Sequence, residues 1–176
     1  MSGAAQPVLS YLSYQDFLAD VETVACALEA DAWSPDYLVG IGRGGLVPAA
    51  YLSHRTGIPM LSVDHSSKEA DFADALLTKL AGRSRDGQHI LFVDDINDSG
   101  STIAYLRAAM LEQGGIGENV RFAVLVNNSS SKANVEYSST GIDRTIDKRW
   151  FIFPWEALAR KEALLEEAVS VPERLA

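Results

Sequence analysis

Twice in this chain a short apolar run stops at residues that do not prolong a strand, and a helical pattern starts directly afterwards. Tyr37–Ile41 runs into Gly42, Arg43, Gly44 and Gly45, after which 46–56 reads as helix. The run 89–93 meets Asp94, Asp95, Ile96, Asn97 and Asp98, and 101–113 follows as an amphipathic helix. Met60–Val63 and 120–126 have the length and apolar content of two more strands. Tyr14–Ala30 places Phe17, Leu18, Val21, Val24, Ala25 and Leu28 on one helical face, with Ser13 as cap and Asp16 three residues on. Residues 155–169 read as a last helix, its first turn pre-set by Pro154. Parallel strands need crossovers, and crossovers are usually helices, so the pattern predicts an α/β fold: a central, mostly parallel twisted sheet with helices on both faces. In such sheets ligands bind beyond the carboxyl ends of the strands.

At 176 residues and 47% hydrophobic content the chain is long enough for one sizeable core, and a single domain over 1–176 is expected. The formal net charge of −9 argues against nucleic-acid binding by phosphate neutralisation, which needs a basic stripe. Cys26 is the single cysteine and sits in a helical apolar pattern, where it reads as a small buried hydrophobe. No basic-then-apolar leader and no run of 18 apolar residues is visible, so neither a membrane span nor a membrane partner is expected, and the expected location is the cytoplasm. His54, His65 and His89 lack metal-ligand spacing.

The segment 90–102 joins two opposite chemistries. Asp94, Asp95 and Asp98 put three carboxylates at the end of a buried strand, where they repel one another and call for cationic or hydroxyl compensation. Asp98, Ser99, Gly100, Ser101 and Thr102 then offer hydroxyls, a glycine and the free N–H groups of a helix start, a cradle for a phosphate. A five-carbon sugar phosphate presents both features at matching separation. The plainer alternative is a solvated acidic turn followed by ordinary N-caps. At the other junction the glycine spacing is not that of a dinucleotide fingerprint, and no Walker lysine follows. That junction is either a tight turn or, because Arg43 is in it, a site for a diphosphate.

The segment 90–102 resembles the phosphoribosyl pyrophosphate (PRPP) signature of type I phosphoribosyltransferases, departing from it only at Ser99, where threonine is usual. The stretch Arg43, Gly44, Gly45, Leu46, Val47, Pro48 is similar to the hypoxanthine, guanine and xanthine branch of that family. The resemblance implies the fold of that family, with a small hood near 127–153, and transfer of the 5-phosphoribosyl group from PRPP to a nucleobase, a purine by the branch. Asp94 and Asp95 would then meet the ribose hydroxyls, directly or through Mg2+. Asp98, Ser99, Gly100, Ser101 and Thr102 would hold the 5-phosphate, and Asp98 would also accept a ring proton of the base. Gly42, Arg43 and Gly44 would hold pyrophosphate, with a strained or cis peptide between Gly42 and Arg43. Trp150 and Phe151 would bind the base, while Phe153 and Trp155 belong to the core.

The resemblance further implies a flexible loop near 64–88, with Ser66, Ser67 and Lys68 in it and helical spacing over 72–80, and a homodimer or homotetramer. One departure leaves the accepted base open. Purine enzymes usually place a lysine after the fourth strand, whereas this chain has Asn127 and Asn128, with Lys132 further along. Two rival classes remain: a nucleotide-sensing regulator on the same fold, and a phosphotransfer protein with an acidic pocket. The acidic charge and the presence of Arg43 with three aspartates favour catalysis over the first.

Overall fold

The computed structural model describes residues 7–64 and 70–169. In chain order the elements are β1 (Leu9–Tyr11), α1 (Tyr14–Ala30), β2 (Tyr37–Ile41), α2 (Gly42–Thr56), β3 (Met60–Val63), α3 (Ala70–Arg85), β4 (Ile90–Asn97), α4 (Ser101–Glu112), β5 (Val120–Asn128), β6 (Tyr137–Ile142), β7 (Trp150–Ile152) and α5 (Lys161–Val169), with short 3-10 turns at Gly117–Asn119 and Pro154–Glu156.

Five strands form a parallel sheet in the order β3-β2-β4-β5-β6. Alternation along β4 divides the core in two. Leu91 and Val93 pack with Phe17, Val21, Ala49 and Leu52 of α1 and α2, while Ile90 and Phe92 pack with Leu77, Leu80, Ile103 and Leu106 of α3 and α4. Helix α1 starts as its sequence dictates: Ser13 and Asp16 close a reciprocal capping box. The chain leaves β2 toward β3 on one side, and β4 lies on the other, so the strand order reverses between β2 and β4. Their carboxyl ends therefore flank the crevice where open sheets of this kind bind ligands.

Several elements depart from the sequence expectation. Helix α2 begins at Gly42, directly after the strand, rather than at 46. Most of the expected loop 64–88 is α3, whose Leu77, Leu80 and Ala81 are core residues; Ser66, Ser67 and Lys68 lie outside the described residues. The polar connection 127–149 contains an edge strand, β6, recognisable only by tertiary contacts: Tyr137 bonds Asp31, and Ser139 bonds Asp20 of α1. β1 and β7 pair in parallel as a separate two-stranded hood, Leu9 opposite Trp150. The expected last helix is divided, with Pro154 opening a 3-10 turn and α5 starting only at Lys161. Cys26 is exposed, not buried, its thiol facing Glu22.

The first turn of α2 lies against the backbone of β4: a Cβ on Gly45 would run into the Val93 carbonyl oxygen. Gly45→Ala is expected to push the two elements apart and cost about 1–3 kcal/mol; a urea-denaturation midpoint within error of the parent would contradict this packing.

Candidate active site

Strand β2 and strand β4 deliver their last residues to one cavity of about 430 Å³, lined by Gly42, Arg43, Gly44, Asp94, Asp95 and Thr102 on the sheet side and by Trp155, Glu156, Leu164 and Glu167 on the other. Two helix starts open beside it. The N-cap residues of α2 and α4, Ile41 and Gly100, make no side-chain cap bond, and of the first-turn N–H groups of α4 the Ser101 amide donates to Ser99 Oγ at 3.3 Å. Gly100 caps α4 with φ +85°, a left-handed conformation that favours glycine. Ser99 and Ser101 hold each other across 2.9 Å in front of that helix, and Thr102 reaches the cavity. The expected strain at the glycine–arginine turn takes a different form: no cis peptide occurs among the described residues, and Gly42 is instead at φ +52°.

Asp94 and Asp95 are half-buried neighbours, the amide of Asp95 donating to Asp94 Oδ1 at 3.0 Å. Among the described residues no lysine, arginine or histidine forms an ion pair with either. Desolvation raises Asp94 well above the ordinary carboxylate range, and the charge of Asp95 adds to it. Desolvation likewise pushes Asp95 from 3.8 up to about 7, helped by the nearby charge of Glu156. Glu156, also raised mainly by desolvation and further by Glu167, is drawn the other way by the Phe153 amide that donates to it and, less, by the charge of Arg43. Arg43 is exposed in its turn, and Gly44 beside it is so close to Asp95 that a Cβ would stand 2.5 Å from Oδ2.

Asp98 has a different setting. Its carboxylate accepts from Arg144 in a two-point pair, Nε to Oδ1 at 3.0 Å and a terminal nitrogen to Oδ2 at 3.1 Å. Arg144 is only 8% exposed. Its other terminal nitrogen donates to the carbonyls of Asp147 and Arg149 at 3.1 and 2.6 Å, and its guanidinium lies 5.2 Å from the centre of the Phe151 ring. The asparagines that end β5 are spent on structure. Asn127 accepts from Asn97, and Asn128 donates to the Asp98 carbonyl while accepting from the Arg144 amide. Lys132 is exposed, its amide donating to the Ser99 carbonyl.

Trp150 and Phe151 sit on the hood and do not line the cavity between β2 and β4; Trp155 and Glu156 do. Trp155 stacks on Phe153 at 4.9 Å and meets Phe17 edge-on at 5.4 Å, so it is both core and cavity wall. Sequence reasoning missed Arg144, Glu156 and Glu167. For Arg144 a signal existed: three aspartates at a strand end require a cation, and the segment 143–149 holds three basic residues.

The phosphoribosyl transferase domain family matches this chain over residues 8–160, which is most of its length. The chain belongs to that family. A xanthine-guanine phosphoribosyltransferase of Cereibacter sphaeroides is 29% identical over 75% of this chain and 78% of its own length. Among solved structures, a purine phosphoribosyltransferase from Pyrococcus horikoshii has a TM-score of 0.62 at 22% identity, covering 86% of this chain and 96% of its own. A hypothetical protein from Neisseria gonorrhoeae with bound ppGpp has a TM-score of 0.64, also at 22% identity, covering 94% and 98%. At these identities the two structures establish the fold, a type I phosphoribosyltransferase α/β sheet. Among the described residues no helix is long and apolar enough to cross a membrane.

The raised Asp95 contributes a fall of stability with rising pH. Between about 3.8 and about 7 the unfolded chain has released a proton that the folded chain keeps, so raising pH through that window favours unfolding, by at most about 1.4 kcal/mol per pH unit. Without ligands, Asp95→Asn is expected to flatten the slope of unfolding free energy between pH 4.5 and 7, as followed by denaturant titration; an unaltered slope would show that Asp95 ionises normally.

Proposed function

We propose that this protein is a purine phosphoribosyltransferase that moves the 5-phosphoribosyl group of PRPP to a ring nitrogen of hypoxanthine, guanine or xanthine and releases pyrophosphate. One observation carries the reading: the arginine turn after β2 and the acidic strand end of β4 open on the same cavity, next to two helix N-termini. Pyrophosphate has two anionic phosphoryl groups, and Gly42, Arg43 and Gly44 present a guanidinium and backbone amides to it. The 5-phosphate fits the start of α4, where Ser99, Gly100, Ser101 and Thr102 supply hydroxyls and N–H groups. The ribose lies between, its hydroxyls donating to Asp94 and Asp95.

Two adjacent carboxylates without an ion-pair partner among the described residues also suit Mg2+, which binds through one or two carboxylates together with substrate oxygens. Asp94 and Asp95 would hold it, and when bound it neutralises charge on the departing pyrophosphate. The remaining work falls to the chain. Breaking the bond at the anomeric carbon leaves positive charge on the sugar and negative charge on the leaving oxygens; Arg43 stabilises the latter. The attacking nitrogen loses its ring proton to Asp98, whose carboxylate Arg144 orients. Trp150 and Phe151, on the hood, align the base.

Incubation of the full chain with PRPP, Mg2+ and each of the three bases should yield nucleotide and pyrophosphate in equal amounts from at least one base; release from none of them would sink the reading. Asp98→Asn is expected to lower kcat by about 100-fold, with KM for PRPP changing far less. Steady-state kinetics with unchanged kcat would remove Asp98 from the chemistry.

A further inference from the structure

Arg144 is a buried arginine in a polar connection, and its side-chain hydrogen bonds reach two parts of the chain. One is Asp98, at the head of the candidate phosphate cradle; the other is the hood, through the carbonyls of Asp147 and Arg149, directly before Trp150. Its backbone amide is fixed to Asn128 at the end of β5, and the same Asn128 side chain donates to the Asp98 carbonyl. Four of the five guanidinium N–H groups are thereby committed. A guanidinium so occupied has little left for a ligand; its effect is on the groups it holds. A buried ion pair gives little net stability against an apolar replacement, so the consequence of this one is geometric.

We infer that Arg144 is the positioning residue of the base site, setting the distance between the proton acceptor Asp98 and the base-binding segment Trp150 and Phe151. The inference rests on the proposed transferase reading. Without Arg144 the Asp98 carboxylate loses the partner that orients it, and the carbonyls of Asp147 and Arg149 lose their donor, so the hood can shift relative to the phosphate loop. Arg43, Asp94 and Asp95 are supported by other elements and keep their arrangement, so PRPP recognition stays while base recognition degrades.

The test compares Arg144→Met and Arg144→Lys with the parent chain, measuring KM for the base and for PRPP separately. KM for the base should rise about tenfold in the methionine variant with KM for PRPP within about twofold. The lysine variant keeps the charge but not the two-point geometry, and should show a smaller rise of the same kind; it also covers the case in which the methionine variant fails to fold. A purely structural role would lower kcat through loss of active protein and leave both KM values alone, and that result overturns the inference, as does an equal rise in both. If the parent chain binds none of GMP, XMP or IMP by calorimetry and makes no nucleotide, the transferase reading falls and takes this inference with it. An active parent with an unchanged base KM in both variants removes the inference alone.

Discussion

The site depends on how close α2 comes to β4. Because Gly45 brings no side chain, the first turn of the helix lies on the Val93 carbonyl, and Gly44 comes to rest against the Asp95 carboxylate. That contact puts a helix N-terminus, an arginine and two carboxylates around one opening. A larger residue at either position would hold the helix away from the strand, and the crevice made by the reversal of strand order would lose one wall. The strand order gives the crevice its place, and the glycines give it its width.

The acids at the end of β4 then divide into two kinds. Asp94 and Asp95 are desolvated without an ion-pair partner among the described residues, and burial holds both above the ordinary range. Asp98 is three residues along, past the end of the strand, and has a guanidinium on both oxygens. The charge conflict visible in the sequence is thus resolved by an ion pair at one position, and among the described residues by none at the other two. A ligand that brought hydroxyl donors or a divalent cation would lower the cost of ionising Asp94 and Asp95, and its binding would be coupled to proton release.

What the sequence makes legible follows from where its information is local. Tyr37–Ile41 is an interior strand buried along most of its length, so its apolar run stands out, Met60–Val63 is marked off by Gly57 and Pro59 before it, and the capping box of α1 is written in Ser13 and Asp16. β1, β6 and β7 are short or at an edge, and their pairing comes from partners more than ten residues away, which no periodicity announces. Helix α3 was half visible: the spacing over 72–80 is helical, but a resemblance to enzymes with a flexible loop directs attention away from its core contacts through Leu77 and Leu80. In the site, the two glycine- and aspartate-rich junctions are legible because the chemistry sits in consecutive residues. Arg144 is not, because its role exists only once the hood has folded back toward Asp98.

A two-stranded sheet has little stability of its own, so the hood takes its position from its attachments. At its far end the attachment is apolar: Phe153 is buried and stacks on Trp155, which leans on Phe17 of α1. At its near end the attachment is the ion pair between Arg144 and Asp98, reinforced by Asn128. Apolar packing tolerates small shifts, whereas a two-point guanidinium–carboxylate pair fixes both distance and angle. The near attachment therefore sets where Trp150 and Phe151 stand relative to the segment 98–102, and the far one keeps the hood on the core. In an enzyme that must bring a ring nitrogen onto one sugar carbon, that division puts the more exacting constraint next to the chemistry.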